Sequence, residues 1–151
     1  MKKIFIYLSA IFVVANMSAQ TRKVGDFIMV NGEMGVVFTV TADGQHGRVV
    51  SATQTNRPMC IVRDAQSADY WCNTLGDGWR LPTQSELKQI YVNKDTINIT
   101  LRNNGYAELS EDRYWISEMF DGVVWFLHMS DGSVSSGVDI DAHCVRAVSA
   151  F

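Results

Sequence analysis

The sequence has no cluster of basic residues, no Cys-x-x-Cys pair, no internal repeat and no apolar stretch long enough to span a bilayer as a helix. Each absence removes a class. Scattered Lys and Arg leave no electrostatic footprint for nucleic acid or for an anionic membrane surface. The three cysteines, Cys60, Cys72 and Cys144, are too widely spaced for a zinc ribbon or a thioredoxin-type site. The main apolar run, residues 4–14, falls well short of the about 20 residues a transmembrane helix needs. His46 sits in a Gly-flanked turn and His128 between Leu127 and Met129, neither with a nucleophile at a telling spacing, so a Ser-His-Asp or Cys-His set has nothing to rest on. Linkers and low-complexity tracts are absent too, which leaves one domain.

What is present begins with an export signal. Lys2 and Lys3 precede the apolar run, and Asn16-Met17-Ser18-Ala19 places small residues where a signal peptidase would cut before Gln20. No Cys follows the run, which argues against a lipid anchor. The expected division is a signal peptide over residues 1–19 and a single domain over 20–151, with no membrane insertion after cleavage. Cleavage takes Lys and Arg from 13 to 11 against 16 acidic residues, and the net charge from −3 to −5. That acidity suits cations or neutral polar ligands better than polyanions. Export implies an oxidising compartment, periplasmic, surface-associated or extracellular, where three cysteines give one disulfide and one odd thiol.

The mature chain opens with β-rich residues 26–30 and Asn31-Gly32, a strong hairpin signal, then strands over 33–40 and 48–51. Residues 53–58 read as loop and 59–62 as a short buried piece. From Asp64, a good N-cap, a helix carries Ala65, Ala68, Cys72 and Leu75 on one stripe and ends at Gly76. Thr83 opens a second helix, and Glu86 three residues on completes a capping box. Leu87, Ile90 and Tyr91 form its apolar face. Asn-rich residues 94–112 read as a long surface loop with a turn at Asn103-Asn104-Gly105. Strands follow at 114–117, 123–129 and from Val134, with a terminal strand over 144–148. The fold class is α+β.

Candidate chemistry is sparse. Trp79 and Arg80 read as a core aromatic and its neighbour, with Arg80 stacked on it or paired to a carboxylate such as Glu86. Asp139, Asp141 and His143 alternate, so an extended chain would put two carboxylates and an imidazole on one face, near the turns holding Asp121 and Asp131. A solvated acidic loop explains that spacing better than a metal site, and no metal or cofactor is expected. Tyr106 and Trp125, with Asp139, Asp141 and His143, are the candidate ligand contacts. They lie in residues 94–112, 122–125 and 137–143, polar segments suited to hydrogen bonding and stacking with a sugar.

Gly78-Trp79-Arg80-Leu81-Pro82-Thr83 with Glu86-Leu87, then Tyr114-Trp115-Ile116-Ser117, then Cys144-Val145-Arg146, resembles a family of exported bacterial domains. These are the Fibrobacter-succinogenes-type major paralogous domains and the related C-terminal domain of the Legionella collagen-like adhesin. Gly35-Val36-Val37-Phe38 and His46-Gly47 also look like the opening of family members, while residues 94–112 match no motif. The resemblance implies a C-type-lectin-like fold, two helices packed on an irregular antiparallel sheet, and a Cys72–Cys144 disulfide. Closing a loop of about 70 residues would remove roughly 4 kcal/mol of unfolded-state entropy. Cys60 would then be a buried thiol, and Cys60–Cys72 is the competing pair. The Glu-Pro-Asn, Gln-Pro-Asp and Trp-Asn-Asp tripeptides of calcium-dependent lectins are absent, so that activity is not implied. Arg80-Leu81-Pro82-Thr83-x-x-Glu86 also resembles the sulfatase-modifying oxidases, whose chemistry needs two neighbouring cysteines near the C-terminus; only Cys144 lies there. The expected role is a non-catalytic binding module for a glycan or an envelope or surface protein. A structural subunit of a surface assembly is the alternative.

Overall fold

Asn31 and Gly32 turn the chain between β1 (Phe27–Val30) and β2 (Glu33–Val40). Both have positive φ, 48° and 92°, as a two-residue hairpin turn requires. The computed structural model in which this is seen describes residues 20–55, 67–138 and 142–151. The expected signal peptide, most of the 53–62 segment, Cys60, Asp64, Asp139 and Asp141 lie outside those residues.

β3 (Gly47–Ser51) pairs with β2, and the last strand, β7 (Val148–Ala150), pairs with β3, giving an antiparallel sheet ordered β1-β2-β3-β7. A second antiparallel sheet is ordered β4-β5-β6, from β4 (Arg113–Phe120), β5 (Val123–His128) and β6 (Val134–Gly137). The helices are α1 (Ala68–Thr74), α2 (Gln84–Val92) and α3 (Lys94–Asn103). The fold is α+β.

Consecutive apolar residues in the central strands mean that both faces of the sheets are covered. Val36, Phe38, Val50, Tyr114, Ile116 and Leu127 join Leu87 and Ile90 of α2 and Ile97 and Leu101 of α3 in one core. Their sequence neighbours Val37, Val49, Trp115 and Phe126 join Ala68 and Cys72 of α1 and Trp79 in another. The period-2 alternation of a strand assigns each residue to its side.

The Gly76 turn and the second helix form where their signals place them, but the first helix starts later than expected: Ser67, not Asp64, caps α1, its Oγ accepting from the Tyr70 N–H at 3.2 Å. Gly76 then turns the chain with φ 136°, where a β-carbon would run into the Asn31 carbonyl. Trp79 is buried, and its indole N–H donates to the Val30 carbonyl at 3.0 Å. The Thr83–Glu86 capping box forms in full: the Glu86 N–H donates to Thr83 Oγ1 at 3.2 Å, and the Thr83 N–H to Glu86 Oε2 at 2.8 Å.

Three expectations are corrected. Residues 94–112 are not a long loop, because α3 occupies the first ten of them. Ile97 and Leu101, four residues apart, are fully buried, while Asp95 in the first turn and Arg102 in the last complement the helix dipole. The expected strand over residues 144–148 is instead a crossing segment. Cys144 bridges in parallel to Tyr114 of the second sheet, and the chain reaches the first at Ala147, whose carbonyl accepts from the Ser51 N–H at 2.9 Å, and pairs with β3 from Val148. Cys72 and Cys144 are not a disulfide: both are buried free thiols. The reason is placement, since Cys72 packs with α1 in one core and Cys144 in the other, across the sheets.

Candidate functional site

A register break in β4 builds a recess against α2. Trp115 pairs with Phe126 and Met119 with Val124, so Ile116, Ser117 and Glu118 stand opposite Trp125 alone. Such a bulge bends a strand and re-aims its side chains. Its backbone is held by the Ser117 N–H donating to the Pro82 carbonyl at 2.9 Å. Glu118 reaches across to α2, where its Oε2 accepts from the Gln84 N–H at 3.0 Å, an orphan donor of the helix's first turn.

The result is a groove of about 830 Å³ between α2 and the bulge. Ile116, Glu118 and Trp125 line it from the sheet side. Gln84, Ser85, Lys88, Gln89 and Val92 line it from α2, spaced as one helical stripe, with Asn93 at its end. That stripe is the exposed face of α2, opposite buried Leu87 and Ile90. Asn93 is fixed by its Nδ2, which donates to the Phe38 carbonyl at 3.2 Å and the Gln89 carbonyl at 2.9 Å. The lining thus combines a half-exposed indole, two aliphatic side chains, amides, a hydroxyl and one charge of each sign. Glu118 is the one carboxylate among these lining residues.

A smaller cleft, about 380 Å³, is lined by Glu111, Asp112, Arg113, His128, Ala142, His143 and Cys144. The Cys144 thiol lies 3.8 Å from both Ser110 Oγ and Asp112 Oδ2. Burial, with the Asp112 carboxylate adding to it, pushes this thiol up from its ordinary pKa, the reverse of what an activated nucleophile needs. Burial raises Cys72 further still. His143 is buried, its ring centroid 4.4 Å from those of Trp115 and Phe126. His128 is half-buried, its Nε2 3.2 Å from Ser135 Oγ. Among the described residues no three His, Cys, Asp or Glu side chains could hold a metal ion. No helix among them is long and apolar enough to cross a membrane.

The candidate contacts read from sequence therefore do not form one surface. Trp125 lines the groove, and His143 lines the separate cleft, because Trp125 and Phe126 point to opposite faces of β5. Tyr106 packs on Phe27, ring centroids 5.6 Å apart, against the first core. Asp139 and Asp141 are outside the described residues. The α2 stripe and Glu118 were missed. The polar face of α2 was visible in its periodicity, but the bulge that turns it into a groove wall leaves no local signal.

Arg80 pairs with Glu86 rather than with a ligand: Nη1 donates to Oε2 at 2.9 Å and Nη2 to Oε1 at 2.7 Å, and Arg48 Nε lies 3.4 Å from Oε1. Compared with the models of known families and with curated proteins, the chain matches none.

Proposed function

We infer that the protein is an exported, non-catalytic binding module of the bacterial envelope or surface, C-type-lectin-like in fold, whose ligand is a glycan held in the α2–β4–β5 groove. The observation that carries this reading is the pairing of Trp125 with the polar stripe of α2 across the bulge. An indole takes the C–H face of a pyranose, and amides, a hydroxyl and a carboxylate offer both donors and acceptors to its rim of hydroxyls. A concave, partly apolar site with a few convergent polar groups is the usual form of a small-ligand site. The lectin-like assignment is supported by the Gly-rich turn and buried Trp79 that join α1 to α2. A glycan array tests the function: binding that Trp125→Ala removes supports it. Silence on the array from folded protein, with capture of a protein from envelope extracts, shifts the ligand to the other expected class.

A second reading, a structural subunit of a surface assembly, is favoured by β1. This strand is at one end of its sheet, and Met29 on it is 69% exposed. Edge strands with exposed apolar residues are sites of strand addition. Sedimentation giving only monomer over a wide concentration range counts against it.

A further inference from the structure

We propose that β1 pairs edge to edge with β1 of a second copy of this chain, closing a two-fold dimer; the inference rests on the second reading above and names its partner. The other sheet edges are protected. β7 meets Arg80, whose N–H donates to the Val148 carbonyl at 3.0 Å and whose carbonyl accepts from the Val148 N–H at 2.8 Å. On β4, the Cys144 N–H donates to the Arg113 carbonyl and the Ser117 N–H to the Pro82 carbonyl, both at 2.9 Å. β6, Val-Ser-Ser-Gly, is short and polar. β1, Phe-Ile-Met-Val, carries none of the charges, prolines or bulges that guard an edge. The Val37 N–H donates to the Asp26 carbonyl at 2.9 Å, and alternation then aims the backbone groups of Ile28 and Val30 at β2 and those of Phe27 and Met29 outward. Among the described residues nothing bonds those outward groups.

The strand also fits itself. Antiparallel pairing about a two-fold axis at Ile28 sets Phe27 against the partner's Met29 and Met29 against the partner's Phe27, so both outward residues of each copy exchange N–H···O bonds. An axis at Phe27 or at Met29 leaves one of them facing the partner's Gly25 or the partner's Asn31, outside the strand. The Ile28 register lays the partner's Phe27 beside the Met29 side chain, which is 69% exposed in one copy. Asp26, the charge next to the strand, faces the partner's Val30, so no like charges meet. With the far edge of the sheet filled at Arg80, pairing stops at two copies. An edge this short makes the dimer weak and concentration-dependent.

The test is sedimentation of the purified protein from micromolar to millimolar concentration. A monomer–dimer equilibrium is expected, with no larger species. Met29→Lys places a charge on the edge, and Met29→Pro removes an outward N–H that β2 does not use. Each is expected to weaken the dimer at least about tenfold, the loss typical of a central contact in an interface. Ile99→Lys, at an exposed apolar position on α3, is expected to leave the equilibrium unchanged. Melting temperatures show that each variant is folded, and either Met29 variant alone suffices for the comparison. Monomer throughout overturns both the dimer and the second reading. Species larger than a dimer overturn the closed pair and leave the second reading standing. A dimer that both Met29 variants leave intact, or that Ile99→Lys weakens as much, overturns β1 as the interface.

Discussion

Arg146 joins more separate parts of the chain than any other side chain described here. Its guanidinium is buried, Nε donating to Gln54 Oε1 at 3.0 Å and Nη1 to the carbonyls of Ser51 and Ala52 at 3.0 and 2.6 Å. Nη2 donates to the carbonyls of Ala107 and Glu108 at 2.6 and 3.2 Å. Burial lowers its pKa from the ordinary arginine value, a pull that the Tyr114 hydroxyl opposes. The planar fork is what lets one group serve β3 and the 107–108 segment together, and a lysine ammonium has neither the reach nor the donors. Arg146→Lys is therefore expected to cost about 2–4 kcal/mol of unfolding free energy in a urea titration, from carbonyls left without donors. A loss below half a kcal/mol would show the fork to be dispensable. Nothing in the sequence marked this role: Arg146 stood out only as part of a motif, and the partners of a buried cation lie about forty to ninety residues away. Glu86 is the opposite case, legible from spacing alone. Burial pushes its carboxyl up, but the Arg80 guanidinium and the Thr83 N–H outweigh that and hold it below the ordinary 4.5. The unfolded chain thus takes up this proton at higher pH than the folded one, so stability falls as pH drops through 4.5 toward the folded value. Glu86→Gln is expected to lower stability at pH 7 and to flatten this part of the acid limb, measured by urea midpoints between pH 7 and pH 3. Asp43 and Asp131, both lowered chiefly by side-chain hydrogen bonds, keep the limb from vanishing.

At the scale of elements, local signals were readable and distant partners were not. The Asn31-Gly32 hairpin and the α2 capping box depend on atoms within three residues, so the sequence suffices for them. Thr83→Ala, which removes the side-chain half of the box, is expected to cost about 1 kcal/mol. α3 was misread because its buried face is only Ile97 and Leu101 among Lys, Asp, Thr, Asn and Arg, too thin a stripe to stand out. What makes it a helix is the core it lands on. Ile97→Ala is expected to cost about 2–5 kcal/mol, against less than about 1 for Ile99→Ala on the exposed side. Equal small losses at both positions would return this segment to a surface loop. The β4 bulge is the element-scale counterpart at the site: Ile116 and Glu118 face Trp125 only because the register slips there, a property of the pairing and not of the strand's composition.

For the whole molecule, the two cores on opposite sides of the sheets decide the fate of the cysteines. A disulfide needs Cα atoms within about 7 Å and β-carbons aimed at each other. Cys72, packed among Ala68, Trp79 and Trp115, and Cys144, beside Ser110 and Asp112, face different interiors. The fold is therefore held by burial and by buried polar clamps such as Arg146, without a covalent tie between α1 and the C-terminal segment. Both thiols are also poor nucleophiles: burial raises their pKa values and leaves little thiolate to react, although Cys144 lines the smaller cleft. The expected outcome is specific. Native protein treated with iodoacetamide should leave Cys72 unmodified and alkylate Cys144, which lines the cleft, only slowly, while unfolding in the same reagent should alkylate both. Peptide mapping without reductant should find no fragment linking them, and reductant should not shift the melting temperature through this pair. A Cys72–Cys144 linked peptide from protein purified under oxidising conditions would overturn the two-core arrangement, because closing that bond requires one cysteine to leave its core.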